Sequence, residues 1–276
     1  MTTSTAPRPA TRPGRPTPTA ARPRFRRFAA LVRMETTILL RNKTAVFTAV
    51  ALPFFMAFAF SRFALDRAAL GVVLTMVLAG SALMFVVYYT LVTSLVARRE
   101  QLVLKRLVAG EPTPLEVLLA PAVPLWALMV FQSLVGVVAA VALGSTAAHP
   151  WALALAVVGG TTTWTALAIW SSTWTRSVES AQLTTMPLIL VSMLLSGFSL
   201  PLDALPPLAQ RIAHWLPMTP VMDLITLGFT GTGISGDSLV GRDLLAATIE
   251  MLIPLVLWTA GALNLGLRRF RWDARG

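Results

Sequence analysis

The sequence contains no cysteine and only two histidines, His149 and His214. A chain without cysteine has neither a disulfide framework nor a thiol site, and two histidines this far apart argue against a metal centre. Charged residues make up only 13% of the 276 residues, whereas a soluble domain carries roughly a quarter. Because the mean hydropathy is also high, at +0.70, the composition indicates an integral membrane protein.

Long runs without a charged residue divide the chain. A helix needs about 20 apolar residues to cross a hydrocarbon core roughly 30 Å thick, and a helix in a soluble core would show a polar face at every turn. The runs show no such face. We therefore predict an all-α integral membrane fold with six transmembrane helices, at about 44–63, 70–97, 116–144, 150–174, 181–200 and 243–267.

The net charge of +11 is explained by topology. If the N-terminus lies in the cytoplasm and the spans alternate in direction, nineteen of the 23 cations fall on the cytoplasmic side. This positive-inside bias predicts a multi-pass protein of the cytoplasmic (inner) membrane with both termini in the cytoplasm. The basic residues therefore do not call for a nucleic-acid partner.

The N-terminal region has two parts. Residues 1–24 are rich in Pro, Thr and Arg and have little to bury, so we predict a disordered basic cytoplasmic tail that is attracted to membrane lipid. In residues 25–42, apolar side chains recur every three or four positions opposite arginines. This pattern predicts an amphipathic helix in the membrane interface before the first span.

The charged segment 98–111 separates the second and third predicted spans. Because a Lys or Arg at the bilayer centre costs roughly 2.5–3.5 kcal/mol, we expect the whole segment to project from the cytoplasmic face. As a helix it has an apolar face that includes Leu104 and Leu107. Two structures fit this pattern: an interfacial loop whose charges only fix the topology, and a docking helix whose apolar face enters a groove on a cytoplasmic partner.

Residues 201–230, after the fifth span, are too apolar for an exposed loop and are interrupted by prolines. We predict an external re-entrant hairpin that dips into the outer leaflet, where neighbouring helices satisfy its backbone. A Pro-rich loop lying on the lipid surface is the alternative. The residues that define the segment and its entry are Gly197, Pro201, Pro206 and Pro217.

Three segments together resemble the type-2 permeases of ATP-binding-cassette exporters, in particular their drug-exporter branch. The most specific is "SGFSLPLDALPPLAQRIAHWLPMTPVMDLI" (196–225), since in that family a Ser-Gly pair ends span five and is followed by Pro-Leu, Leu-Pro, an amphipathic helix, Leu-Pro and Thr-Pro. In addition, "RREQLVLKRL" (98–107) resembles the coupling helix and "RMETTILLRNK" (33–43) resembles the interfacial helix. The chain departs from the family at Leu102-Val103, where Gly-Thr is common, and at 109–114, where a shorter Ala-Thr-Pro is common.

The resemblance implies a six-span permease domain over 25–276 that forms half of a pump. A second copy or a paralogue completes the dimer, and each subunit pairs with a cytoplasmic ATPase that binds ATP and magnesium. This chain has no phosphate-binding loop, because Lys43 and Lys105, its only lysines, lack the glycines of such a loop. We predict that it is not an enzyme and has no catalytic residue, metal or cofactor of its own.

The implied function is efflux of an amphiphilic small molecule, drug or lipid, as in multidrug export. Energy would enter through the coupling helix 98–111, whose predicted contacts with the ATPase are Glu100, Leu104, Lys105, Arg106 and Leu107. The alternative is a secondary transporter driven by an ion gradient, with Glu250 as the coupling residue; such a protein often shows repeated halves, and none is evident here. A membrane enzyme would need clustered His, Asp or Glu.

Polar side chains inside the spans are the candidates for the transport path. Tyr88 and Tyr89, the only tyrosines, form helix–helix hydrogen bonds or line a substrate cleft. Glu250, within span six, carries protons, binds a cationic substrate or faces an aqueous vestibule. Small residues around Gly136 in span three and Gly160 in span four predict that these two spans pack together; a seam between two subunits is the alternative.

Overall fold

The computed structural model describes residues 24–60, 66–102, 113–199, 202–232 and 239–270. In these ranges the chain forms helices joined by turns. In chain order they are α1 (Arg24–Arg41), α2 (Lys43–Phe60), α3 (Arg67–Glu100), α4 (Pro114–Leu119), α5 (Ala122–Ala142), α6 (Pro150–Ser172), α7 (Val178–Leu195), a 3-10 turn (Leu202–Ala204), α8 (Pro207–Ala213), α9 (Thr219–Thr230) and α10 (Arg242–Arg269).

Five helices of the described part are long and apolar enough to cross a membrane: α3, α5, α6, α7 and α10. This confirms the all-α integral membrane fold. The first predicted span corresponds to α2, where Ala49–Ala59 forms a shorter apolar helix. The count of six spans and the re-entrant hairpin remain predictions. The predicted tail lies outside the described residues except for Arg24, and α1 covers the predicted interfacial helix to within one residue at each end.

The helix α3 is longer at both ends than the predicted span 70–97. It begins at Arg67 because Asp66 caps it, with a side-chain oxygen that accepts a hydrogen bond of 2.7 Å from the Ala69 N–H. It continues to Glu100 because the arginines of its last turn find partners inside the bundle, as described below. Its middle part, Ala82–Tyr89, is a π-helix, a form that is usually confined to single turns.

The packing of α3 against α5 depends on glycine. A Cβ atom on Gly71 would lie 2.6 Å from the Ala140 Cα, and one on Gly136 would lie 2.8 Å from the Thr75 Cα. In α6, a Cβ on Gly160 would meet the Leu83 side chain at 2.8 Å. Gly136 and Gly160 of predicted spans three and four thus make their closest approach to the span-two helix. The two spans also contact each other, since the Trp126 indole N–H of α5 donates a hydrogen bond of 2.9 Å to the Thr165 hydroxyl of α6. Spacing identifies close-packing faces but not their partners.

The helix α6 is the second central element, because α10 and α9 pack along it. A Cβ on Gly266 of α10 would lie 3.1 Å from the Ile169 side chain, and the hydroxyls of Thr163 and Thr259 share a hydrogen bond of 2.8 Å. A Cβ on Gly228 of α9 would lie 2.5 Å from the Leu153 side chain. The outward faces of α5, α7 and α10 expose large apolar side chains, as expected for helices in contact with lipid or with another subunit.

The bundle has two ends that we name for use below. The basal end is formed by α1, the Glu100 end of α3 and the turn 173–177. The distal end is formed by the first turns of α3 and α10 and the turn 144–149, where the Ser145 hydroxyl donates a hydrogen bond of 2.8 Å to the Ala68 carbonyl oxygen.

Candidate functional site

An ion pair at the basal end joins α1 to α3. Glu35 is only 3% exposed although it is a carboxylate on an amphipathic helix. The Arg98 guanidinium donates one hydrogen bond to each of its carboxylate oxygens. A bidentate pair of this kind is the strongest geometry available to an arginine and a carboxylate. The pair explains how both charges are tolerated at this position, since each neutralises the other.

Arg99 is more deeply buried, at 1% exposure. Its guanidinium donates hydrogen bonds to backbone carbonyl oxygens at the end of α6 and in the following turn, at 2.7 Å to Ser172, to Thr175, and at 3.4 Å to Arg176. The last carbonyls of a helix lack intrahelical partners and carry partial negative charge. Arg99 therefore serves as a C-terminal cap for α6 that is supplied by a different helix.

These two contacts correct the expectation that the whole segment 98–111 projects from the bundle. Arg98 and Arg99 are the last turn of α3 and are held in the base, because a distant carboxylate and free carbonyls compensate their burial. Glu100, which follows them, is exposed. The other predicted docking residues, Leu104, Lys105, Arg106 and Leu107, lie outside the described residues, as does most of the predicted coupling helix.

The chain leaves α3 through a left-handed residue. Leu102 has φ 58°, the one non-glycine residue with positive φ in the described ranges. Helices very commonly end with a left-handed residue, and that residue is usually glycine because it has no Cβ. At this position the exporter permeases commonly have the glycine of Gly-Thr, so the departure noted in the sequence places a leucine where the backbone favours glycine.

The chain re-enters the described structure at a capping box. The Thr113 N–H donates a hydrogen bond of 2.7 Å to the Glu116 carboxylate, and the Glu116 N–H donates one of 3.3 Å to the Thr113 hydroxyl. The hydrogen bond from the Thr113 backbone holds the pKa of the Glu116 carboxyl below its ordinary value. Both flanks of residues 103–112 are therefore anchored, one by Arg98 and Arg99 and the other by this box.

Of the two tyrosines, Tyr88 is fully buried. Its hydroxyl shares a hydrogen bond of 2.8 Å with the Ser171 hydroxyl, and its ring meets the Trp164 ring edge-on at a centroid distance of 5.4 Å. The structure thus gives Tyr88 the helix–helix bond, between α3 and α6, that was one of its two predicted roles. Tyr89 is half-buried and packs against the same core.

Glu250 faces a cavity of about 760 Å³ between α10 and the residues around α9. Two further acids of the described chain line it, Asp223 and Asp243, together with His214. Asp223 is half-buried and forms no hydrogen bond or ion pair with any described residue. Neither tyrosine belongs to the lining, so the structure does not bring the three predicted pathway residues together.

A family model described as "ABC-2 type transporter" matches residues 26–229, about three quarters of the chain. The chain belongs to the ABC-2 type transporter family. This membership confirms the resemblance found in the sequence, without specifying the drug-exporter branch. The chain is therefore a membrane component of an ABC-type transporter and not a catalytic subunit. No curated protein matches it in sequence.

In this ABC-2 protein, the predicted re-entrant residues are parts of turns. Gly197 has φ 75° in the turn that follows α7, Pro206 directly precedes α8, and Pro217 is buried in the turn between α8 and α9. Pro201 lies outside the described residues. The Trp258 indole N–H donates a hydrogen bond of 2.7 Å to the Trp215 carbonyl oxygen. Trp258 lies roughly 24 Å along α10 from its first residue, so this turn meets α10 near its middle.

The sequence analysis missed Asp223 and the partners of the basal arginines. An acid within the apolar run 216–229 was a readable signal, because an unpaired carboxylate is costly there. The pairing of Glu35 with Arg98 had no local signal, since the two residues are 63 positions apart.

Proposed function

We propose that this ABC-2 membrane subunit exports an amphiphilic small molecule, drug or lipid, out across the cytoplasmic membrane at the expense of ATP hydrolysed by a separate partner. In this proposal the basal end faces the cytoplasm, as the distribution of cations favours. A second copy or a paralogue packs beside the chain through its exposed apolar faces. The drug-exporter-like segment 196–225 supports the choice of substrate class.

The ATPase binds the segment 98–111. Leu104 and Leu107 anchor the docking helix in a groove of the partner, and Glu100, Lys105 and Arg106 make polar contacts. The observation that carries this proposal is the anchoring of both flanks of the segment. Arg98 and Arg99 tie one flank to α1 and to the end of α6, and the Thr113 capping box fixes the other. A force applied between the flanks therefore acts on α3 and the end of α6, on α4 and on α1.

The test is copurification of the ATP-binding-cassette ATPase with a tagged permease from its native membrane. The double variant Leu104→Asp, Leu107→Asp should lose the ATPase, since two buried carboxylates cost far more than a docking interface tolerates. The control is Leu115→Asp, which introduces one acid at an exposed leucine of α4 outside the segment and should keep the ATPase. Unchanged ATPase binding and transport in the double variant would refute the assignment.

The secondary-transporter alternative has one observation in its favour, which is that Glu250 shares a cavity with Asp223 and Asp243. Proteoliposomes separate the two functions. Export that needs ATP and the ATPase, and that persists after collapse of the ion gradients, supports the proposal. Export by the permease alone, driven by a proton gradient and lost in Glu250→Gln, supports the alternative.

A further inference from the structure

Two neighbouring cavities lie along α10 and share Trp215 and Pro254. The first, which we call the acidic cavity, is the 760 Å³ space that contains Asp223, Asp243 and Glu250. The second, which we call the tryptophan groove, has a volume of about 340 Å³. The groove is lined by Trp170, Trp215, Pro254, Leu257, Trp258, Gly261, Ala262 and Leu265.

The acidic cavity is suited to a positively charged group. Three carboxylates and the His214 imidazole line it, and the described lining contains no lysine or arginine. Asp223 is half-buried and has no hydrogen-bond or ion-pair partner among the described residues, so a bound cation would compensate the solvation that its carboxylate has lost. Trp215 adds an aromatic ring, which attracts ammonium groups through its face. These acids and the histidine do not form a group that could hold a metal ion.

The tryptophan groove is suited to an apolar tail. All the side chains of its described lining are apolar or aromatic, and two of them come from outside α10: Trp170 from α6 and Trp215 from the turn after α8. It follows α10 from Pro254 to Leu265, a distance of roughly 16 Å, which matches the alkyl tail of a lipid-like molecule. Gly261 opens the groove, because a Cβ atom at this position would meet nothing within 4 Å.

We propose that the acidic cavity and the tryptophan groove together bind an amphiphile with an ammonium head and an apolar tail. The head lies among Asp223, Asp243 and Glu250, and the tail lies along α10 beside Trp258. The site is built within one subunit and does not need a dimer. This inference rests on the proposed function only for the claim that the bound molecule is exported, because binding itself requires neither ATP nor the ATPase.

An ammonium head on an apolar tail has two sources, a foreign amphiphile and an amine lipid of the membrane. The probe is a dodecyltrimethylammonium that carries a photoreactive diazirine near the end of its tail. The full chain is reconstituted without ATPase in nanodiscs of phosphatidylglycerol, which contains no amine. After illumination, mass spectrometry of the digested protein locates the labelled peptides. We expect labelling of the peptide that contains residues 254–265.

Charge variants test the head. Asp223→Asn and Glu250→Gln should each weaken probe binding by roughly tenfold, the usual effect of removing one charged partner. Glu179→Gln is the matched control, because Glu179 is an exposed acid in the first turn of α7 outside both cavities. It should label like the parent. An excess of dodecyltrimethylammonium should displace the probe, and uncharged dodecanol should not.

Variants that fill the tryptophan groove test where the apolar tail binds, and they change no charged residue. Gly261→Leu places a side chain in the open groove and should abolish labelling, whereas Gly261→Ala adds only one methyl group and should preserve it. Both replacements favour the helix relative to glycine, so loss of labelling is not a consequence of unfolding. Thermal unfolding of each variant checks this directly.

The outcomes are distinct. If phosphatidylethanolamine in the nanodisc displaces the probe, an amine lipid is the natural source of the ammonium; if it does not, the source is a foreign amphiphile, and either result supports the site. The inference is overturned if dodecanol competes as well as the ammonium, or if the charge variants and Gly261→Leu label like the parent. Failure of the docking experiment leaves this binding result unaffected, so the two proposals fail separately.

Discussion

Arg98 and Glu35 form a bidentate ion pair that ties the last turn of α3 to α1 across 63 positions of sequence. The carboxylate is almost completely buried, and the arginine side chain is 14% exposed. Because α3 leads directly into the predicted docking segment, this pair connects α1 to the point at which the ATPase is expected to act.

Breaking the Glu35–Arg98 pair should destabilise the protein by about 3 kcal/mol, near the lower bound for a buried pair that loses one partner. The single variants Arg98→Glu and Glu35→Arg place like charges together and should both lower the thermal unfolding temperature in detergent. The double variant, with the two charges exchanged, should recover much of the loss. A double variant no better than the worse single variant would show that the two charges do not interact.

Replacement of Arg99 by alanine should cost about 2–4 kcal/mol, because buried carbonyls of α6 and the following turn lose hydrogen bonds from a charged donor. Arg99→Lys should recover only part of this, since an ammonium cannot reproduce the planar donor fork of arginine. The control is Arg176→Ala, which removes an exposed side chain and should change the unfolding temperature little. Equal effects of the Arg99 and Arg176 variants would contradict the capping role.

Leu102→Gly should stabilise the end of α3. Leucine pays about 1 kcal/mol for the left-handed conformation at this position, and glycine does not. Leu102→Ala is the control, because alanine removes most of the side chain and keeps the Cβ that causes the strain. We expect a higher unfolding temperature for Leu102→Gly than for Leu102→Ala. The reverse order would mean that the leucine side chain is worth more than the backbone strain.

Two glycine-to-alanine changes should have opposite signs. Gly136→Ala places a methyl group 2.8 Å from the Thr75 Cα, and overpacking of this kind costs about 1–3 kcal/mol. Gly261→Ala meets open space and should gain up to about 1 kcal/mol from helix propensity. Thermal unfolding of both variants against the parent measures the difference. A stabilising Gly136→Ala would show that α3 and α5 are not in close contact there.

Glu116 should contribute a pH-dependent part of the stability of the α4 start. Its pKa is lowered in the folded protein by the hydrogen bond from Thr113, so the contribution is present above the unfolded value of about 4.3 and is lost as the pH falls through the folded pKa. Glu116→Gln should make the free energy of unfolding less dependent on pH in this acidic range. It should also lower the free energy of unfolding at neutral pH. Glu100→Gln serves as the comparison for removal of an exposed acid elsewhere.

The sequence was sufficient to locate most of the membrane-spanning helices, because lipid requires long uncharged segments and leaves little choice about where they begin. The boundaries of α3 were less predictable. A cost of burial can be assigned to Arg98 and Arg99 from the sequence, but the groups that offset this cost, Glu35 and the Ser172 carbonyl, are brought close only by the packing of the helices.

In the candidate site, too, one residue was predictable from the sequence and another depended on the packing of the helices. Glu250 stood out because it was an acid within an apolar run, and the structure places it on a cavity. Asp223 lay in a segment already interpreted through its prolines, and its proximity to Glu250 depends on how α9 packs beside α10. Residues that share a cavity but come from different helices have no common pattern in the sequence.

Helix length gives α3 a mechanical property. Its 34 residues form a rod roughly 50 Å long, about 20 Å more than the hydrocarbon core requires. A rod of this length amplifies rotation: a tilt of about 5° at one end displaces the other by roughly 4 Å. Because Arg98 and Arg99 tie the Glu100 end to α1 and to the end of α6, a displacement of that end would carry both neighbours with it.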